Sequence, residues 1–337
     1  MPCTVIAGAF WGDEGKGKII SYLALKEPLD VCVRTGSVNA AHTIWMNGQR
    51  YALHMVPGGF VHDKCRLLIG AGSNIEVKQL LDEIALTKVH NRIGVDSQAS
   101  IIEEKHSLQD KSSTHLKEMV GTTGRGVGPA IEERVRRSAK LAKDTSELKP
   151  YLSNVAEEVN RAIDEGRNVL LEGTQGAMLS LFFGSYPYVT ARDTTASAIC
   201  SEAGVGPTKV DNVVLVFKSF MTRVGSGPLP GELSRENAQK KGWFEKAAGT
   251  GRDRRSAPFN FDIARKAVIL NGATQAALTK LDSVYPECRG SREFEKLHGE
   301  AIRFVEEVES ETKVPVLLIG TGPDARDIID RRQKGKR

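Results

Sequence analysis

The sequence predicts an α/β fold: a largely parallel central sheet with helices on both faces. Short apolar runs of strand length recur along the whole chain, and segments of helical period alternate with them. No Pro/Ser-rich linker and no internal repeat interrupts the alternation, so residues 1–337 read as one domain.

The first run, Thr4–Ala7, leads into Gly8-Ala-Phe-Trp-Gly-Asp-Glu-Gly-Lys-Gly-Lys18, after which Ile19, Ile20 and Leu23 fall at helical spacing. Strand, glycine-rich turn and helix start together make an anion site, because backbone N–H groups and the positive helix end converge there. Gly12, Gly15 and Gly17 let the backbone approach a phosphate, and Lys16 and Lys18 supply charge. The layout is P-loop-NTPase-like, but the spacing is not that of a Walker A loop. Phe10 stands where Gly-x-x-x-x-Gly-Lys needs its first glycine, and Gly17 replaces the usual Ser/Thr. Asp13 and Glu14 lie inside the loop, where a carboxylate repels phosphate. That placement points to a Mg²⁺ ligand or to a base working beside the phosphates.

Val31–Arg34 is the second strand, followed by a polar loop from Thr35 to Thr43 that carries His42. Leu67–Gly70 is the third, and Val77, Leu80, Leu81 and Ile84 then mark an amphipathic helix. Ser107 to Lys117 is polar and carries no periodic signal. Gly121-Thr-Thr-Gly-Arg-Gly-Val-Gly-Pro129 is a second glycine-rich loop, able to cup another phosphate through N–H and hydroxyl donors. A charged helix over Ile131–Lys143 follows, with Arg134, Arg136 and Arg137 clustered. Leu152 to Ile163 has helical period and stops at Gly166, and Val169–Leu171 opens into Glu172-Gly-Thr-Gln-Gly176. Val213–Phe217 is the clearest core strand. Gly249-Thr-Gly-Arg-Asp-Arg-Arg255 concentrates three arginines, whose guanidinium groups pair carboxylates bidentately. Gln275–Asp282 reads as a strand ending in Thr-Lys-x-Asp. Asp282 can accept from guanine N1–H and the 2-amino group together, with Lys280 over the base, which favours GTP over ATP. Val314–Pro323 gives the last strand and a final glycine loop.

Trp-Gly-Asp-Glu-Gly-Lys-Gly-Lys, Asn39 to Thr43, the Gly121 loop, Glu172 to Gly176, the arginine loop and Thr-Lys-x-Asp resemble, in order, the motifs of the adenylosuccinate synthetase family. The length is similar to the compact form found in archaea. The resemblance implies inserted subdomains, a homodimer, Mg²⁺, and ligation of L-aspartate to IMP at the expense of GTP. It implies that Asp13, His42 and Lys16 are catalytic, with His42 as general acid. Gly12, Glu14, Gly15, Lys16, Gly17, Lys18, Lys280, Asp282, Gly320, Thr321 and Gly322 would bind GTP. Asn39, Thr123, Gln175 and Thr190 would bind IMP, and Arg137 would reach IMP in the partner subunit. Thr250, Arg252 and Arg254 would bind aspartate, and Asp13 with the Ala41 carbonyl would hold the metal. The chain departs from the family at Ala41 and Gly249, at Asp253 in place of arginine, and at Gly320 in place of serine.

A net charge of +5 suits anionic small molecules, and no dense basic tract or apolar run of membrane length points to nucleic acid or a bilayer. Five scattered cysteines without Cys-x-x-Cys read as reduced thiols in a cytoplasmic protein. The chemistry that the resemblance implies can be rationalised on these residues. Asp13 as base takes the N1 proton of IMP, O6 attacks the γ-phosphoryl group, and the aspartate amine then displaces phosphate from C6. Two other readings stay open: a GTP-binding module without ligase chemistry, which has no need of Asp13 and His42 together, and a paralogous ligase for another purine nucleotide or amine.

Overall fold

The computed structural model describes residues 2–246 and 251–332. Ten strands form the main sheet: β1 (Cys3–Gly8), β2 (Val31–Arg34), β3 (Arg66–Ile69), β4 (Ile93–Asp96), β5 (Leu152–Ser153), β6 (Val169–Glu172), β7 (Asn212–Lys218), β8 (Gln275–Thr279), β9 (Val316–Gly320) and β10 (Ile328–Asp330). Their spatial order is β10-β9-β8-β7-β1-β6-β2-β3-β4-β5. Every neighbouring pair is parallel except β9 with β10, an antiparallel edge.

Alternation along each strand feeds two cores. Val5, Val33, Leu171 and Phe217 point to one face and pack with the helices Val155–Asp164, Ala196–Ala203, Phe261–Asn271 and Gly299–Thr312. Ile6, Cys32, Leu170 and Val216 point to the other, under Lys16–Lys26, Val77–Thr87 and Val127–Arg136. A strand buried on both faces needs apolar side chains at successive positions, which is why these runs read as continuous in the sequence. The first core is tightened by Phe10, Phe217 and Phe259, whose ring centroids lie 5.3 to 5.8 Å apart.

The structure corrects several boundaries. The helix expected over Ile131–Lys143 runs instead from Val127 to Arg136, because Arg137 takes a left-handed backbone (φ 64°) that ends it. Residues 275–282 are not one strand: Lys280 is left-handed (φ 60°), and Leu281–Val284 is a single helical turn. The helical pattern from Leu152 resolves into β5 and a helix whose start is capped by Asn154, accepting from the Glu157 N–H. The unassigned segment after Ser107 belongs to the helix Glu104–Ser112 and a wider turn, His115–Val120. Thr35 to Thr43, read as a loop, runs into a hairpin, His42–Met46 with Gln49–Leu53. A three-stranded antiparallel sheet of Phe220–Arg223, Asp253–Pro258 and Glu245–Lys246 is inserted between β7 and β8. All five cysteines are buried and unpaired, and no helix among the described residues is long and apolar enough to cross a membrane.

Phe217→Ala, in the middle of the aromatic cluster, should lower stability by about 3 to 5 kcal/mol. Leu86→Ala, at a half-exposed helix position, should stay within about 0.5 kcal/mol of the parent. Urea titration followed by circular dichroism compares the two, and equal losses would mean the core is misassigned.

Candidate active site

One cavity of about 670 Å³ opens at the C-terminal ends of the strands, where a parallel sheet exposes loop groups. Of the residues expected from sequence, Gly12, Asp13, Gly15, Lys16, Gly17, Lys18, Asn39, Ala41, His42, Thr123, Gln175, Thr190, Arg252, Arg254, Lys280 and Gly322 line it. Residues from eight separate stretches of chain therefore meet in one place.

The phosphate loop is braced from below. The Glu14 carboxylate is fully buried and accepts from the N–H groups of Phe10 (3.0 Å) and Gly12 (2.8 Å), while its other oxygen meets the Lys16 ammonium at 2.7 Å. Glu14 therefore shapes the loop, and its side chain is turned away from the cavity, contrary to a direct contact with GTP. Lys16 also donates to the Gln175 carbonyl, which a left-handed backbone (φ 64°) at Gln175 presents. At Gly17 an added Cβ would lie 2.9 Å from the His42 Cβ. The close crossing of the first helix and the hairpin is why no Ser/Thr follows Lys16. Lys18 donates to the carbonyls of Gly322 (2.9 Å) and Asp324, tying this loop to the one after β9. Burial lowers Lys18 to about 8 despite the acidic neighbours Asp327 and Asp324.

Behind the cavity lies a buried ionic cluster. The His42 Nδ1 is 2.6 Å from Glu172 Oε1, and Arg34 pairs with the same oxygen. Glu172 also accepts from the Gly58 N–H at 2.6 Å. The short contact to a carboxylate puts the proton of neutral imidazole on Nδ1 and leaves Nε2, buried and without a partner, as the free nitrogen. Burial, with the Arg34 charge, lowers His42 to about 4, so its resting form is neutral. Burial pushes Glu172 up, but Arg34 and His42 more than offset it and keep it ionised.

Arg254 joins the other wall to the phosphate loop. Its Nε and Nη2 each lie 2.9 Å from an Asp13 oxygen, and its Nη1 donates to Glu245 at 2.7 Å. Glu245 also meets buried Lys218 at 2.7 Å and Lys280 at 3.1 Å. Burial raises Glu245, yet these three cations hold it well below the usual carboxylate range. Arg252 donates to the carbonyls of Gly121 (2.9 Å) and Thr122, linking the arginine loop to the second glycine loop. Asp253 between them is exposed and points away from the cavity, 3.5 Å from Arg235. Thr123 donates to Asn39 at 2.7 Å.

Other expected residues lie elsewhere. Arg137 is exposed on the surface, outside the cavity. Asp282 is nearly buried in the turn behind Lys280, with Arg289 Nε 3.4 Å from its carboxylate. The Thr321 hydroxyl donates inward to the Ser291 carbonyl at 2.7 Å. Gly320 is also off the cavity, and an added Cβ there would stand 3.1 Å from Lys18 Cε, which accounts for the missing serine. Thr250 and Gly249 lie outside the described residues. Glu245 and Lys218 carry no spacing signal in the sequence, each being a lone charge in a mixed segment. Glu172 could have been singled out, because a carboxylate closing an apolar strand must find a partner.

Comparison with known proteins follows the same order of motifs. The sequence profile of the adenylosuccinate synthetase family matches residues 5–147 and 139–288. The chain is 49% identical to the adenylosuccinate synthetase of Methanocaldococcus jannaschii, over 99% of this chain and 98% of that one. It is 50% identical to that of Archaeoglobus fulgidus, over 99% of each. The fold is similar to the fully ligated adenylosuccinate synthetase of Plasmodium falciparum, with a TM-score of 0.90 and 28% identity over 97% of this chain and 99% of the other. At 23% identity and a TM-score of 0.81, the succinoaminodeoxyadenylate synthetase of cyanophage S-2L, bound to dGMP and dATP, shares the fold over 98% of this chain and 95% of its own. Matched along nearly its whole length by archaeal enzymes about half identical to it, the chain belongs to the adenylosuccinate synthetase family.

Proposed function

We propose that the cavity residues divide among themselves the reaction of the family, GTP-dependent ligation of L-aspartate to IMP in AMP synthesis. One observation carries this reading: the carboxylate of Asp13 on a phosphate loop, the His42 imidazole and the Arg252 and Arg254 guanidinium groups line a single cavity of about 670 Å³. Asn39, Thr123, Gln175 and Thr190 hold IMP, Lys16 and the loop N–H groups hold the GTP phosphates, and Lys280 with Asp282 receives the guanine. Asp282 is to reach it once Arg289, an exposed side chain, turns aside. A sheet that takes strands from residue 3 to residue 330 supports treating the whole chain as one domain.

In the first step Asp13 accepts the N1 proton, the O6–P bond forms, and the bond from the γ-phosphorus to the bridging oxygen breaks, releasing GDP. Lys16 neutralises charge on the transferring group and His42 faces the bridging oxygen. In the second step the aspartate amine bonds to C6 and phosphate departs. Arg254 occupies both oxygens of Asp13. An incoming aspartate carboxylate that draws Arg254 away frees Asp13, so donor binding and proton abstraction are coupled through one guanidinium. Arg252 completes the clamp. Asp253, facing outward, leaves it intact, so aspartate stays the donor.

The Asp13 carboxylate and the Ala41 carbonyl are hard oxygen donors on residues that line the cavity, and this donor set fits Mg²⁺ completed by phosphate oxygens. Bound there, the ion would withdraw charge from the triphosphate. We further propose a cytoplasmic homodimer in which exposed Arg137 reaches the partner's IMP site.

Incubation with IMP, GTP, Mg²⁺ and aspartate should yield adenylosuccinate, GDP and phosphate by mass. Asp13→Ala and His42→Ala should each abolish turnover while leaving GTP affinity within about tenfold. Near-parental turnover in either variant removes that residue from the reacting centre.

His42 rests neutral at about 4, and a triphosphate brought beside Nε2 favours the imidazolium. GTP binding at pH 6 should therefore take up protons, and His42→Gln should take up fewer. Calorimetry in two buffers of different ionisation enthalpy measures this, and equal uptake by both proteins would contradict it.

Mixing Arg137→Ala with Asp13→Ala protein should restore activity, because a hybrid dimer holds one complete site. Inactive hybrids, verified by native mass, would rule out action of Arg137 across the interface.

A further inference from the structure

Among the described residues, Trp45 is the one large apolar side chain that is both well exposed (39%) and part of the cavity wall. The chain's other two tryptophans, Trp11 and Trp243, are each 7% exposed. Hairpin register explains the orientation. Trp45 pairs with Arg50 and Thr43 with Ala52, so Thr43, Trp45 and Arg50 share the face turned to the cavity, while Ile44 is fully buried on the other.

The hairpin is fixed to the loop after β9. The Trp45 carbonyl accepts from the Ala325 N–H at 2.9 Å, and Asn47 accepts from Arg326 at 2.8 Å. That loop contributes Gly322 and Pro323 to the cavity, and Lys18 is tied to it. Trp45 is thereby held beside the loop that Lys18 and Gly322 share, at the GTP end of the cavity. An indole left open to solvent beside a phosphate loop, with a guanidinium opposite it, is suited to a ligand that is both flat and anionic.

We propose that Trp45 is a nucleotide-binding residue whose indole covers the guanosine part of GTP, with Arg50 beside it facing the ligand's oxygens. The inference rests on the reading of this end of the cavity as the GTP site. Stacking is indifferent to base identity, so Trp45 contributes affinity while Asp282 selects guanine.

Trp45→Ala should raise the KM for GTP about tenfold, with the KM values for IMP and aspartate and the kcat within twofold. Trp45→Phe should restore most of the loss. GDP should quench the intrinsic fluorescence of the parent protein, and that quench should vanish in Trp45→Phe, which retains an aromatic ring and so guards against a folding artefact. An unchanged KM for GTP in Trp45→Ala, a shift in the KM for IMP instead, or a quench that survives in Trp45→Phe would overturn the proposal. If the parent binds no GDP and uses no GTP, the site reading falls with it; if the parent binds GDP and Trp45→Ala binds it equally, only the role of Trp45 falls.

Discussion

The site depends on one buried carboxylate. Glu172 closes a central strand, and its two oxygens tie together Arg34 on the next strand, His42 on the hairpin and the Gly58 N–H. A carboxylate taken out of water is tolerable only when its neighbours supply charge and hydrogen bonds, and here they do. The same bonds fix the ring orientation of His42 and aim its free nitrogen. Loss of Glu172 would leave Arg34 buried without its counter-ion, a cost of about 3 to 5 kcal/mol, so stability and chemistry are bound to the same atoms.

Arg254 plays a comparable part on the opposite wall. It bridges Asp13 on the phosphate loop to Glu245 on the inserted sheet, and Glu245 gathers Lys218 and Lys280 as well. Positive charge is thus gathered around a carboxylate at the cavity wall, where anionic substrates can draw on it. A guanidinium already paired needs only to change partners, which costs less than desolvating a free one.

Much of this was legible in the sequence, and the reasons differ by element. The central strands were readable because burial on both faces demands unbroken apolar runs, as in β2 and β7. The phosphate loop was readable because tight glycine turns before a helix have few other uses. The hairpin at His42–Met46 was hidden, since its outer face is polar and its inner face is short. Glu14 was misread as a ligand for GTP: its spacing in the motif is the same whether the carboxylate faces the phosphates or the loop's own N–H groups. The outward direction of Asp253, between Arg252 and Arg254 on the cavity wall, was readable too, because alternate residues of an extended segment face opposite ways.

The middle position of β1 carries a consequence for how the chain is made. Its neighbours, β6 and β7, begin at residues 169 and 212, so β1 leaves the ribosome long before either partner. At about 5 to 20 residues per second, that wait is roughly 10 to 40 s. Through it Val5, Ile6 and the loop behind them have no sheet to join, and the floor of the phosphate loop at Gln175 and Gly176 does not yet exist. A fold so dominated by distant pairing assembles slowly, and during synthesis its N-terminal third is the part that most needs shielding from other nascent chains.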